Sequence, residues 1–295
     1  MIDFVRVFYR DKSELEPYVD CGENFNEILK VLESNSGEIR YPFRTRIGIM
    51  DIVVTLRGGY VKNSLHKLYN FVYNKENKNH NDFEYEKLCE TIQYLSQVPR
   101  LTQTSLTNLE FGLNIKVDRP AEEILEKNIL MHNYNNYNHN PKFRGKGVLK
   151  QYDHTNYVIK VYDKAKQYRL PYHVLRFEVK FTRRRGFNKV GIYNLDDLKN
   201  KEKLKELFRV YLMRFDEMLI IDSVPEESIE LEDYQKLSKF KNPFYWEVDI
   251  KDKSGTYRMR RRKEFNALIE KYKLNSTKAE IRRLLVEKFN YLINN

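Results

Sequence analysis

The sequence predicts an α+β fold in which an antiparallel-rich sheet carries helices on one face, with a helical region following at the C-terminal end. Three segments carry this prediction, because in each of them β-branched and aromatic residues alternate with polar ones at period two. They are Leu106–Val117 (LTNLEFGLNIKV), Tyr157–Tyr168 (YVIKVYDKAKQY) and Val174–Phe181 (VLRFEVKF). Strands that alternate in this way, instead of being apolar throughout, are typical of sheets with one solvated face.

The N-terminal part supplies further strands and two helices. Ile2–Tyr9 and Ile47–Leu56 have the composition of strands. Asp82 is expected to cap a helix whose apolar stripe repeats at i, i+4 and i+7, and a second helix is predicted over Ala121–Met131. This βαβα order favours a sheet with helices on one face.

The middle of the chain contains a long connection and a hairpin. Asn133–Lys146 has no helical or strand period, so it is read as a connection, although its interleaved aromatic and basic residues could also stack single-stranded bases. Gly147–Tyr152 and Tyr157–Tyr168 form a predicted hairpin around four good turn formers. Helical periodicity begins near Asp196 and continues with an apolar core stripe.

Two helices are predicted near the C-terminal end, Tyr257–Tyr272 and Ser276–Ile293. A tight turn between them and the exposed Arg282 and Arg283 are compatible with a DNA-reading helix-turn-helix, but any antiparallel helix pair has the same pattern. We therefore expect an α+β core over residues 1–200 and a helical, basic region over residues 201–295 that could bind DNA.

The charge of the chain points to a polyanionic partner. The net charge is +11 and the pI is near 9.3, which most simply indicates nucleic acid. From Lys251 to Asn295 there are 13 Lys/Arg against 5 Asp/Glu, a net of +8, which leaves +3 for the preceding 250 residues. The last segment is therefore the expected electrostatic anchor, the alternative being a basic tail that only aids solubility.

The cysteines and the hydropathy indicate the cellular setting. Cys21 and Cys89 form no CxxC pair, so neither a disulfide framework nor a thiolate zinc site is indicated. No apolar run approaches the roughly 18–20 residues that cross a bilayer, and residues 1–10 have no apolar signal core. A cytoplasmic protein without membrane contact is expected.

The polar faces of the three alternating segments suggest a chemistry. Glu110 and Glu178 stand among apolar neighbours, and Lys160, Tyr162 and Lys164 alternate on the middle segment. If these faces coincide, acids that hold a divalent ion, cations for a phosphate and a phenol that attacks it would lie together. The alternative is that the same residues are solvated cross-strand ion pairs, each contributing about 0.2–1 kcal/mol.

Several enzyme classes are excluded by missing motifs. The chain has no GxxxxGK[ST], GxSxG or HExxH sequence, and its six histidines never form His-X-His. A metal would therefore be held largely by carboxylates, which suits Mg²⁺ or Mn²⁺ better than zinc.

An ordered series of short blocks resembles a known family. The blocks are Ser64-Leu65-His66-Lys67, Leu109 to Ile115 (LEFGLNI), Ile159 to Gln167 (IKVYDKAKQ) and Leu175 to Lys180 (LRFEVK). The series resembles the replication initiators of rolling-circle plasmids and filamentous phages, relatives of HUH endonucleases that lack the second histidine motif. The likeness covers Gly58 to Asp222 and is strongest in the YDK and RFE blocks. It implies a Rep endonuclease-like core and a metal-dependent nickase that joins a tyrosine to the 5′ phosphate of one origin strand and leaves a 3′-OH for rolling-circle replication.

The resemblance also assigns roles to residues. Glu110 and Glu178 match the family's acidic strand positions and His66 could complete the metal site, while Lys160 and Lys164 would face the scissile phosphate. In relatives the tyrosine tends to precede a Gly-Ser turn on the strand before the YDK strand, and this chain departs from that pattern. The candidate nucleophiles are Tyr152, which is favoured by its strand, Tyr162, which is favoured by its face, and Tyr157, which lies across the turn.

The expected partner is origin DNA, both duplex and single-stranded, with a host helicase, a polymerase and a second copy of the chain left open. The cationic residues expected to contact DNA are Lys67, Arg176, Lys180, Arg260, Arg261, Arg262, Arg282 and Arg283. Two other functions stay open: a non-catalytic, sequence-specific DNA-binding replication protein, and a protein that binds single-stranded nucleic acid without sequence preference.

Overall fold

The computed structural model describes residues 1–21, 28–32, 39–141, 147–224 and 226–295. The strands within these ranges are β1 Ile2–Tyr9, β2 Ile28–Leu32, β3 Ile39–Ile47, β4 Met50–Val54, β5 Gly59–Ser64, β6 Leu106–Lys116, β7 Ile129–His132, β8 Leu149–Asp153, β9 Tyr157–Asp163, β10 Val174–Phe181 and β11 Met218–Ile220. The α-helices are α1 Glu16–Asp20, α2 Leu65–Asn74, α3 Tyr85–Leu95, α4 Ala121–Glu123, α5 Lys164–Tyr168, α6 Arg185–Asn188, α7 Lys201–Asp216, α8 Leu231–Lys241, α9 Gly255–Lys271 and α10 Ser276–Asn294.

Nine of the described strands form one antiparallel sheet. Their order is β2-β3-β4-β5-β1-β6-β10-β9-β8, and every neighbouring pair is antiparallel. The three alternating segments of the sequence are therefore adjacent, as β6, β10 and β9. The predicted α+β class with an antiparallel-rich sheet is confirmed.

One face of this sheet is apolar and is covered by helices α3, α7 and α10, which contribute to the same core cluster. The ring of Tyr211 in α7 lies 4.9 Å from Phe111 and 5.1 Å from Phe177, measured between ring centroids. Phe289 of α10 stacks on Phe208 at 3.9 Å. Since burial of one such aromatic side chain contributes about 1.5–3 kcal/mol, α7 and α10 hold the centre of the sheet in place.

A second, smaller cluster lies at the C-terminal end of the chain. It joins the buried side chains of α8, α9 and the single-turn π-helix Tyr245–Asp249, including Phe240, Trp246 and Phe265, to Met131 and Leu219 of a two-stranded sheet formed by β7 and β11. The expected boundary at residue 200 stays a prediction. In the structure, buried residues of α7 and α10, with Met218 and Ile220, pack in the first core, and the other buried apolar residues described between Leu219 and Leu274 pack in the second.

Several predicted elements end earlier than expected. The strand that begins at Tyr157 stops at Asp163, because the side chain of Asp163 caps α5 by accepting a hydrogen bond from the backbone N–H of Lys166. The predicted helix Ala121–Met131 ends at Asn128 and continues as β7, which pairs with β11. Propensity does not reveal this pairing, because the two strands are far apart in the chain.

Two other helices begin at residues that differ from the predicted ones. Glu84 stands at the N-cap of α3 instead of Asp82, and the helix that begins near Asp196 is a 3₁₀ turn followed by α7, which Asn200 caps. Residues 142–146 of the predicted connection lie outside the described residues. None of the described helices is long and apolar enough to cross a lipid bilayer.

Candidate metal centre on the polar face of the sheet

The register of β6, β10 and β9 brings the predicted polar residues together. Lys180 is paired with Glu110, and Glu178 is paired with Lys160. Tyr162 is paired with Arg176 one step along the same face. The sequence expectation that these polar faces coincide is met for Glu110, Glu178, Lys160 and Tyr162.

Three buried carboxylates converge at this place. One oxygen atom from each of Asp3, Glu110 and Glu178 lies within 4.8 Å of the other two. Among the described residues, these three side chains are the group of Asp, Glu, His or Cys residues that could hold a metal ion. Each of the three residues is at most 7% exposed. Three hard oxygen donors at this spacing fit a divalent cation such as Mg²⁺ or Mn²⁺. We call them the carboxylate cluster.

Asp3 was missed by sequence reasoning. It reaches the cluster because β1 pairs with β6, and the pairing shifts register between Ile2 and Val5, next to Asp3. Its oxygens accept hydrogen bonds from Ser64 and from the amide of Asn79. The sequence shows only one carboxylate near the start of an otherwise apolar strand. The same pattern occurs where a strand simply ends in solvent, so it does not identify Asp3 as a site residue.

Arg176 connects two members of the carboxylate cluster. Its Nη2 donates to Asp3 at 2.8 Å and its Nε donates to Glu178 at 2.9 Å, while Nη1 donates to Asn114 at 3.0 Å. The guanidinium fits because Gly112 lies opposite Glu178 on β6: a Cβ at Gly112 would stand 2.6 Å from Nη2. Arg176 was expected to contact DNA. This expectation is wrong, because the side chain is buried and all three guanidinium nitrogen atoms donate hydrogen bonds to other residues of the protein.

Two lysines lie at the outer side of the cluster. Lys160 Nζ is 2.9 Å from Glu178 and 3.8 Å from Glu110, and Lys180 Nζ is 3.7 Å from Glu110. Their side chains are 26% and 30% exposed, so they separate the carboxylates from solvent without being buried themselves. The positions suit contact with an incoming phosphate.

The two glutamates differ in protonation. Burial, and next the charge of Glu178, raises the pKa of Glu110 to about 8. Burial alone would also raise the pKa of Glu178, but the charges of Lys160 and Arg176 hold it below its usual range. Glu178 is therefore ionised and Glu110 holds a proton at neutral pH, as expected when two buried carboxylates lie together. A cation that binds here would displace that proton.

A polar network extends from Asp3 to α5. Asn79 donates to Asp3 through its amide nitrogen, and its amide oxygen accepts hydrogen bonds from Lys164 at 2.8 Å and from Tyr168 at 2.6 Å. Burial, with the nearby charge of Arg176, lowers the pKa of Lys164 to about 7. Lys164 thus lies near the cluster, but it begins α5 and does not alternate with Tyr162 on a strand.

The three candidate tyrosines are placed very differently. The hydroxyl of Tyr162 lies 3.4 Å from Glu178, and burial followed by the charge of that carboxylate raises its pKa well above the usual value. Tyr152 pairs with Ile159 on the opposite, apolar face, and Tyr157 lies on that same face beside Arg214. The preference for Tyr152 required that it share the face of the glutamates, and in the structure it does not.

The remaining predicted site residues lie outside the cluster. His66 stacks on Phe83 and its Nε2 is 2.8 Å from Asn81; burial lowers its pKa to about 3. Its neighbour Lys67 is half-buried in α2. Among the arginines of the C-terminal region, Arg282 pairs with Asp216, Arg283 with Glu287 and Arg261 with Glu264, whereas Arg260 is exposed and Arg262 lies over a tyrosine ring.

An open groove continues the polar face beyond Lys180. It has a volume of about 300 Å³. It is lined by two aromatic, three basic and one amide side chain: Phe4, Tyr60, Arg6, Lys62, Lys180 and Asn108. The groove and the carboxylate cluster therefore share one surface of the sheet.

No family model matches the sequence, and no curated protein matches it. Among solved structures, the chain is similar to a rolling circle replication initiator protein from Geobacillus stearothermophilus, with a TM-score of 0.41 and 10% sequence identity. The match covers 79% of this chain and 89% of that chain. A likeness at this level says nothing about the activity of the present chain.

Proposed function

We propose that this protein is a replication-initiator nickase, which cuts one strand of origin DNA in a reaction that depends on a divalent cation at Asp3, Glu110 and Glu178. The observation that supports the proposal is the convergence of these three buried carboxylates on one sheet face with Lys160, Lys180 and Tyr162 beside them. The net charge of +11 and the basic groove that continues this face fit a nucleic-acid substrate.

Each residue has a role in this proposal. Lys160 and Lys180 neutralise the phosphate that approaches the carboxylate cluster. When bound, the cation supplies further positive charge against the phosphate and favours ionisation of a nearby phenol. Arg176 keeps Asp3 and Glu178 in position from below, since both of its ion pairs are internal.

Tyr162 is the proposed nucleophile in place of Tyr152. Its oxygen, 3.4 Å from Glu178, forms the new bond to phosphorus, the bond from phosphorus to the 3′ oxygen breaks, and the phenolic proton passes to solvent. The leaving 3′ oxygen takes a proton from solvent, which yields a 5′-phosphotyrosine and a free 3′-OH.

One observation favours a second function. Each of the three carboxylates has a cationic neighbour among Arg176, Lys160 and Lys180, so no negative charge of the cluster lacks a partner when no metal ion is bound. A buried network of this kind can be purely structural. The protein would then be a sequence-specific DNA-binding replication protein without cleavage activity.

Covalent attachment to DNA distinguishes the two functions. A labelled single-stranded origin oligonucleotide is incubated with the protein and Mn²⁺, and the adduct is followed by denaturing electrophoresis. The nickase should form an adduct that is lost in Glu178→Gln and in Tyr162→Phe, while Glu280→Gln, an exposed acid on α10, keeps it.

Peptide mapping then identifies the attached residue, and circular dichroism verifies that each variant is folded. Phosphate on Tyr157 or Tyr152 would contradict the assignment of Tyr162. DNA binding by the wild-type protein with no adduct on any tyrosine would rule out the nickase and favour the second function.

A further inference from the structure

A second basic groove lies beside the smaller hydrophobic cluster, away from the carboxylate cluster. It is open and has a volume of about 400 Å³. Its walls come from the segment that follows β7, from the π-helix turn and from α9, and the side chains that concern us are Tyr134, Trp246, Glu247, Lys251, Arg258 and Arg262. We name it the α9 groove.

The cations of the α9 groove lack the carboxylate partners that some of their neighbours have. Arg261 and Lys271, on the same helix, pair with nearby carboxylates. Lys251, Arg258 and Arg262 form no ion pair with any described carboxylate. The Nε of Arg262 is buried and has no hydrogen-bond partner among the described residues. These three positive charges are available to an anionic ligand.

Aromatic rings lie directly beside these charges. The guanidinium of Arg262 lies 4.4 Å from the centre of the Tyr134 ring, and that ring is 4.5 Å from Trp246. Trp246 is fixed by a 2.8 Å hydrogen bond from its indole nitrogen to the carbonyl oxygen of Phe240. A rigid pair of rings flanked by an arginine is a surface on which a base can stack.

The backbone presents Tyr134 in an unusual conformation. Asn133 and Tyr134 both have positive φ, 48° and 65°, which non-glycine residues adopt at a cost of about 1 kcal/mol or more each. The segment is held there by a hydrogen bond from Asn133 to Glu217 and by one from Asn136 to Glu247. The chain thus maintains a strained turn that places the tyrosine against Trp246 and Arg262.

We propose that the α9 groove binds single-stranded nucleic acid, with a base stacked on Tyr134 and the flanking phosphates held by Arg258, Arg262 and Lys251. An acidic peptide could pair with the three cations, but it would have no group that stacks on the ring of Tyr134. Duplex DNA fits less well, because its bases are already stacked and cannot reach a ring. The inference adds a second nucleic-acid site to the proposed function and does not require cleavage at the carboxylate cluster.

Trp246 is the single tryptophan of the chain, so its fluorescence reports on this groove alone. The full-length protein is titrated with a twelve-nucleotide oligo(dT) in the presence of a chelator. We expect quenching of Trp246 together with binding. An abasic oligonucleotide of the same length, a poly-glutamate peptide of equal charge and a duplex should each bind at least tenfold more weakly.

Variants test the two parts of the surface separately. Tyr134→Ala should weaken oligo(dT) binding about tenfold, as expected for loss of one stacking ring. Arg258→Gln with Arg262→Gln should lower the slope of log affinity against log salt by about 1.4, since each single-strand phosphate contact contributes about 0.7. The matched double variant Lys253→Gln with Lys263→Gln removes two exposed charges outside the groove lining and should leave the quenching and the effect of Tyr134→Ala unchanged.

Three results would overturn the inference. They are oligo(dT) binding without any change in Trp246 fluorescence, equal affinity for the abasic strand, and equal loss of binding in the two double variants. The same titration in Glu178→Gln should still show quenching. In the wild-type protein, quenching by oligo(dT) without any covalent adduct would mark a failure of the proposed nickase and not of the groove.

Discussion

The protonated state of Glu110 leads to a pH dependence that one substitution can isolate. In the folded protein the pKa of Glu110 is about 8, whereas in an unfolded chain a glutamate has a pKa of about 4.3. Between these values the folded state holds one more proton than the unfolded state, so folding stability falls as pH rises. The Glu110→Gln side chain is a neutral mimic of the protonated glutamate. The stability of this variant should therefore not fall with pH through this group.

The size of the effect follows from the two pKa values. One pH unit corresponds to about 1.4 kcal/mol when the two states differ by a full proton. From pH 6 to pH 8, where Glu110 in the folded protein becomes half ionised, the wild type should therefore lose about 2 kcal/mol relative to Glu110→Gln. All other titrating groups are common to both proteins and cancel in the comparison.

Urea unfolding followed by far-ultraviolet circular dichroism at pH 6, 7 and 8, with a chelator present, measures the difference. Glu280→Gln, the same change at an exposed position, should follow the wild type at every pH. Mn²⁺ should stabilise the wild type more at pH 8 than at pH 6, because binding displaces the proton of Glu110. Parallel stability curves for the wild type and Glu110→Gln would refute the shared-proton description of the cluster.

Three further outcomes are expected. Gly112→Ala should lower the free energy of unfolding by about 3 kcal/mol in urea titrations, because its Cβ would displace the guanidinium of Arg176 from two buried carboxylates; an unchanged value would show that the arginine can move at no cost. Leu285→Ala should cost about 2–5 kcal/mol, since α10 is part of the main core, so removal of residues 251–295 would unfold the protein and would not simply remove a DNA anchor. Tyr152→Phe should leave any DNA adduct intact and raise thermal stability by about 1 kcal/mol, because the buried Tyr152 hydroxyl has no hydrogen-bond partner among the described residues; loss of the adduct would return Tyr152 to the site.

Alternation along single strands predicted much of the centre of this molecule. The period-two pattern identified β6, β9 and β10 and assigned Glu110, Glu178, Lys160 and Tyr162 to polar faces, which the register then joined. The prediction succeeded because side-chain direction in a strand is a local property. It required only that the three strands be neighbours.

The rest of the site depends on non-local pairing. Asp3 joins the cluster only because β1 lies beside β6, and Tyr152 is lost from it because the hairpin register places it opposite Ile159. The burial of Arg176 depends on the space above Gly112, which belongs to another strand. Neither the partner strand nor the register is encoded in the short pattern that reveals a strand.

The fit of Arg176 over Gly112 has a consequence for tracing distant relatives of this chain. A side chain at position 112 and the guanidinium at position 176 exclude each other, while Asp3 and Glu178 need that guanidinium to remain charged when buried. These four positions should therefore vary together in evolution. We expect relatives to be recognised by this packing constraint, as an acid on the first strand, a glycine on a central strand and Arg-x-Glu on its neighbour, even where overall sequence identity has disappeared.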